Sequence, residues 1–118
     1  MKKTVFLPDG YNGHLEEYLT EPVAIDGDLV KLRTAHTAHL QKWVRISELK
    51  ENGVDTNFRF RVWYLTHKYI DCSDTPRLSS RIVKAESRDE AREIVRKMEK
   101  AGSRYIGMIH TAELVVEK

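Results

Sequence analysis

The five histidines and the single cysteine are the side chains of this 118-residue chain best suited to ligate a metal or act as a nucleophile. His36 and His39 lie three residues apart, with His67 and Cys72 elsewhere. A zinc site needs three or four ligands converging at about 2.0–2.3 Å, commonly supplied as tight pairs. One loose pair, with no C-x-x-C and no H-E-x-x-H, reads as exposed histidines in a polar loop, so neither a metal nor a cofactor is expected. Cys72 stands in Asp71-Cys72-Ser73-Asp74. Neighbouring carboxylates disfavour the thiolate that a nucleophile requires, so this reads as an inert loop thiol. The carboxylate pairs Glu16-Glu17 and Asp26/Asp28 have no apolar setting that would make one of them an acid at neutral pH. No G-x-G-x-x-G, phosphate loop or nucleophile elbow occurs. The chain is therefore expected to be non-catalytic. An enzyme reading would need His67 or His110 to meet a carboxylate in a cleft. His110 falls on an otherwise apolar strand face, where a buried histidine satisfied by a local partner is the commoner arrangement.

The residues that stand out are suited to binding. In the stretch 58–70, Arg59 and Arg61 alternate onto one strand face with Trp63 and Tyr69. Guanidinium groups and flat rings on one surface suit two partners. Trp, Tyr and Arg are enriched at protein–protein hot spots, and the same mixture holds single-stranded nucleic acid by phosphate pairing and base stacking. Lys84 on the following strand would extend the patch. The competing reading makes Trp63 and Leu65 the landing site of the amino-terminal strands, with the arginines lying over apolar surface at its rim. A secondary basic ridge, Arg88, Arg92, Arg96 and Lys100, recurs every four residues. Asp89, Glu93 and Glu99 are interleaved with it and Glu93 precedes Lys97 by four, the pattern of a solvated helix face.

These side chains need elements to place them. Thr4–Leu7 reads as a short strand stopped by Pro8-Asp9-Gly10. Leu15, Tyr18 and Leu19 have helical spacing, so residues 11–20 are compatible with one or two helical turns. Asp26-Gly27 between Val23-Ala24-Ile25 and Leu29–Arg33 is a hairpin signal that calls for positive φ at both turn residues. Residues 35–41 form a polar loop, 42–46 a strand, and Asn52-Gly53 a second hairpin candidate. Residues 58–70 alternate Phe58, Phe60, Val62 and Tyr64 against Arg59, Arg61, Trp63, Leu65, His67 and Tyr69, the period of a strand. Residues 77–85 return as its partner. Ser87-x-x-Glu90 is a capping box opening a helix over about 88–101, with Ala91, Ile94, Val95, Met98 and Ala101 as its apolar stripe and Gly102 as its left-handed terminus. Ile106, Met108, Ala112, Leu114 and Val116 form the core face of a last strand, with His110 beside them. The order predicts an α+β fold: amino-terminal β-hairpin elements, then a β-β-α-β unit with one carboxy-terminal amphipathic helix packed on an antiparallel sheet. One domain is expected over 1–118, with 1–50 and 57–118 as its natural subdivision.

Composition narrows the class. The chain is 41% hydrophobic and 32% charged, with a net charge of +2, as in ordinary soluble proteins. Its pI of about 8.7 falls below that of a dedicated nucleic-acid binder. No apolar run approaches the roughly 18 residues of a membrane span, and the opening Met1-Lys2-Lys3-Thr4-Val5-Phe6-Leu7-Pro8 breaks off before a secretory core forms. A cytoplasmic location follows by elimination, with no membrane partner. The expected function is a small non-catalytic protein acting by protein–protein contact, regulating or inhibiting a larger partner. A homodimer through the same face or a sheet edge belongs to this reading. The alternative is a single-stranded nucleic-acid or RNA-binding module using the same basic-aromatic face.

Overall fold

A computed structural model of the chain describes residues 3–8, 13–36, 40–68 and 75–116. They form two compact units, one running to Thr56 and including Val116, the other Asn57–Val115.

Unit 1 is a four-stranded antiparallel meander of β1 (Thr4–Pro8), β2 (Leu15–Asp26), β3 (Leu29–Thr34) and β4 (Gln41–Arg45), followed by the short helix α1 (Ile46–Glu51). One face of the sheet buries Val5, Leu7, Tyr18, Ile25, Val30, Leu32 and Val44. Residues 15–20 are strand, not helix. Tyr18 is buried opposite Val5, whereas Leu15 stays exposed, so the helical spacing never gathers one apolar face. Register irregularities flank Pro22 in β2, where a residue without an N–H interrupts the ladder least. The β2–β3 turn lies one residue later than the Asp-Gly signal implies. Asp26 pairs with Leu29, so Gly27 and Asp28 are the loop, and Gly27 alone has positive φ (60°). Glycine at the first of two loop residues is the II′ arrangement. Asn52-Gly53 closes α1 and makes no hairpin. Ile46 and Leu49 are buried one turn apart, the Asn52 N–H donates to Glu48 O and Leu49 O, and Gly53 takes φ 76°, the left-handed stop of a helix.

Unit 2 is an antiparallel sheet in the order β6-β5-β8-β7, from β5 (Phe58–His67), β6 (Arg77–Ala85), β7 (Lys100–Ala101) and β8 (Arg104–Leu114), with helix α2 (Arg88–Arg96) between β6 and β7. The alternation in β5 is realised as expected over its described length. Phe58, Phe60, Val62, Tyr64 and Thr66 are buried, while Arg59 and Arg61 are exposed. α2 packs on β8, β6 and β5, burying Ala91 and Val95 against the phenylalanine face. Fully burying a large apolar side chain is worth about 1.5–3 kcal/mol, so Phe60 and Val62 in this layer anchor the unit. Ser87 Oγ accepts from the Glu90 N–H at 3.1 Å, satisfying one of the amides that a helix start leaves unpaired.

The helix is shorter than the stripe predicts. It ends at Arg96, and Glu99 (φ 60°) is the left-handed residue. The chain then gives Lys100–Ala101 to β7, which pairs with Tyr105 and Arg104, and the Ile106 N–H donates to Glu99 O at 2.8 Å. Gly102 (φ 65°) serves the β7–β8 turn. Hydrogen bonds to β8 outcompete the further helical turn expected over residues 97–101, a choice made by a strand that periodicity within the helix cannot see. β8 departs from simple alternation as well. Irregularities opposite Leu65 and Trp63 shift its parity, so Met108 and His110 are exposed while Ala112 is buried. The expected core positions of Met108 and His110 are thus corrected by two β-bulges. No helix among the described residues is long and apolar enough to cross a membrane.

Candidate functional site

The sheet of unit 2 has a second face, opposite α2. Directly opposed residues of an antiparallel pair share a face, so the register assigns its members. From β5 come Arg59, Arg61, Trp63, Leu65 and His67. Lys84, Ile82, Ser80 and Leu78 of β6 stand opposite the first four in turn. From β8 come Glu113 opposite Arg61, Tyr105 opposite His67, and Met108, which neighbours the inward-facing Ile109.

Three of these are large aliphatic side chains left in water: Leu78 at 60%, Met108 at 65% and Ile82 at 40% exposure. Trp63, Leu65 and His67 are half-buried between them. One end of the face is basic, with Arg59 directly opposite Lys84 and Arg61 flanked by Glu113. Like charges facing each other across a ladder cost stability. The other end is closed by stacking. The His67 and Tyr105 rings lie 5.9 Å apart, and Lys100 Nζ sits 4.6 Å from the Tyr105 centroid. The His67 ring lies beside Gly107, where a Cβ would meet Cδ2 at 3.4 Å, about van der Waals contact.

The inner end of the strands is pinned by a polar tie. Arg104 Nε donates to Thr66 Oγ1 at 2.9 Å and its terminal nitrogen to Thr66 O at 3.0 Å. Thr66 Oγ1 in turn donates to Arg77 O at 3.4 Å. Thr66 is buried, so this tie links β5, β6 and β8 and holds the open face in register.

The structure brings Arg59, Arg61 and Trp63 together on one surface. Tyr69 lies outside the described residues, as do His39 and Cys72. His36 stands 3.3 Å from a Glu17 carboxylate oxygen in unit 1, and His67 stacks on Tyr105 in unit 2. Among the described residues no group of three or more His, Cys, Asp or Glu converges as a metal site. The basic ridge does not run on one helix. Arg92 pairs with Asp89 and Arg96 with Glu93, and Lys100 belongs to β7.

Sequence reasoning missed Leu78, Ile82 and Met108. The first two alternate within β6 and their step of four residues was a legible signal. Met108 reaches this face through the bulges. Compared with known proteins, the chain matches no family model, no curated protein and no solved structure.

Proposed function

We propose that this chain is a small non-catalytic binding protein that acts by protein–protein contact through the helix-free face of unit 2, regulating or inhibiting a larger partner. The observation that carries the reading is the exposure of Leu78, Ile82 and Met108 on the same face as Trp63, Arg59 and Arg61. Aliphatic side chains offer no ring on which a base could stack, and apolar side chains clustered in water mark an interaction surface. The half-buried indole with flanking guanidinium groups supplies the residue types that dominate interface energetics.

The test is affinity capture from a lysate of the source cell, with and without nuclease, using the chain and a Leu78→Ser/Met108→Ser variant. Both positions are exposed, so the variant folds normally by circular dichroism. A protein that binds the parent chain, survives nuclease and is lost with the variant supports the reading. Nuclease-sensitive capture, or capture indifferent to the two serines, removes it.

A further inference from the structure

Strand β6 ends the sheet of unit 2. Among the described residues it pairs with β5 alone, along its whole length and without a shift of register. The direction of its peptide groups follows from that neighbour. The Val115 N–H donates to Arg59 O at 2.8 Å, so Arg59 turns toward β8. Peptide groups alternate sides along a strand, and opposed residues of an antiparallel pair exchange both hydrogen bonds or neither. Phe60, Val62 and Tyr64 therefore bond Val83, Arg81 and Ser79, and the Thr66 hydroxyl reaches Arg77 O on the same side. Leu78, Ser80, Ile82 and Lys84 are left with their N–H and C=O groups at the outer edge. Such an edge is a template for one more strand.

The side chains of β6 select that strand. Arg77 and Arg81 stand on the α2 side, Leu78, Ile82 and Lys84 on the open side, and all five are exposed. The strand carries three cations and no acid, and β5 beside it has no acid either. On α2, Asp89 and Glu93 are already paired with Arg92 and Arg96. A second copy of β6 fits this edge badly. Consider every antiparallel register that aligns more than half of the strand with itself. Either Arg81 falls directly or diagonally opposite Arg77 or Arg81 of the copy, or Lys84 falls diagonally opposite Lys84 of the copy. Like charges opposed across a ladder cost stability.

We propose that the outer edge of β6 takes an added strand from a partner protein, an extended segment in which acidic and apolar residues alternate. Strand addition draws affinity from main-chain hydrogen bonds and specificity from alternate side chains. Acidic side chains on one face of the segment meet Arg77 and Arg81, and apolar ones on the other meet Leu78 and Ile82. The inference deepens the protein-binding reading of unit 2 and rests on it for those two aliphatic residues.

The experiment is fluorescence anisotropy of a labelled peptide of about eight residues alternating Glu and Val, a common strand length, titrated with the full chain at low salt. One control peptide alternates Lys and Val, and another carries the same Glu and Val residues in two blocks. The alternating acidic peptide is expected to bind, more weakly as salt rises, and both controls to bind less. Ser80→Pro removes an outward N–H and leaves the β5 ladder whole. It is expected to lower affinity about two- to tenfold with the urea midpoint unchanged, whereas Ser79→Pro, whose N–H faces β5, lowers the midpoint. Arg77→Glu/Arg81→Glu is expected to lower affinity for the acidic peptide roughly two- to thirtyfold and to raise it for the Lys and Val peptide. The proposal is overturned if the acidic peptide binds no better than the controls, or if either edge variant leaves its binding unchanged. It falls too if Ser80→Pro destabilises the chain as Ser79→Pro does, or if the chain self-associates through an edge that Ser80→Pro blocks. Lysate capture that depends on Leu78 and Met108 while the peptide fails to bind overturns this inference and leaves the reading of the face standing. Peptide binding with capture indifferent to those two residues supports the edge and removes only the face.

Discussion

Replacing Thr66 by Val tests whether the polar tie to Arg104 holds the sheet of unit 2. The two side chains have nearly the same shape, so the change removes a hydroxyl without opening a cavity. Two hydrogen bonds are lost. The donation to Arg77 O, at 3.4 Å, is close to the geometric limit and contributes little. The bond from Arg104 Nε, at 2.9 Å, is charge-assisted, and leaving its partner unsatisfied costs about 1–3 kcal/mol. Arg104 is half-buried and keeps its bond to Thr66 O at 3.0 Å, so water and the backbone recover part of that loss. The expected cost is about 1–2 kcal/mol, in the lower part of that range. With a urea slope of about 2 kcal/mol/M, the midpoint falls by roughly 0.5–1 M. Trp63 fluorescence in a Trp43→Phe background reports the transition of unit 2. The decisive comparison is the same substitution in an Arg104→Ala background, where its cost should shrink to a few tenths of a kcal/mol. Equal cost in both backgrounds, or a Thr66→Val chain as stable as the parent, refutes the reasoning.

Phe60 is fully buried beneath α2, so Phe60→Ala should cost about 3–5 kcal/mol in urea unfolding; a cost below that of Ser87→Ala would show that the helix packs elsewhere. Ser87→Ala removes the acceptor for the Glu90 N–H and should cost about 1 kcal/mol, read from the same titration, with Ser87→Asp restoring most of it. Glu99 holds φ 60°, a conformation that suits glycine better. Glu99→Gly should therefore raise the midpoint by an amount equivalent to about 0.5–1 kcal/mol, and a lower midpoint would mean that the Glu99 side chain does more there than tolerate strain.

Much of the architecture is local in origin and could be read along the chain. The β5 alternation needs only a period of two, and its buried and exposed sets follow the residue types. The start of α2 needs only Ser87 and the residues just after it. Where distant strands compete, local pattern loses. Leu15, Tyr18 and Leu19 have helical spacing, but β1 and β3 hold them in a strand. The stripe from Ala91 to Ala101 continues past Arg96, but β8 takes Lys100 and Ala101 as strand partners. Asn52-Gly53 fits a hairpin turn and a helix stop equally well, and the burial of Ile46 and Leu49 selects the helix.

The candidate surfaces divide the same way. Residue types and alternation sufficed to put Arg59, Arg61 and Trp63 on one side of β5, because side-chain direction in a strand follows from covalent geometry. Which side chains join them is a matter of register. Only pairing with β6 and the bulged β8 sets Leu78, Ile82 and Met108 beside Trp63. Register is fixed by burial and hydrogen bonding between segments far apart in sequence, so the composition of a sheet face is decided by the tertiary fold.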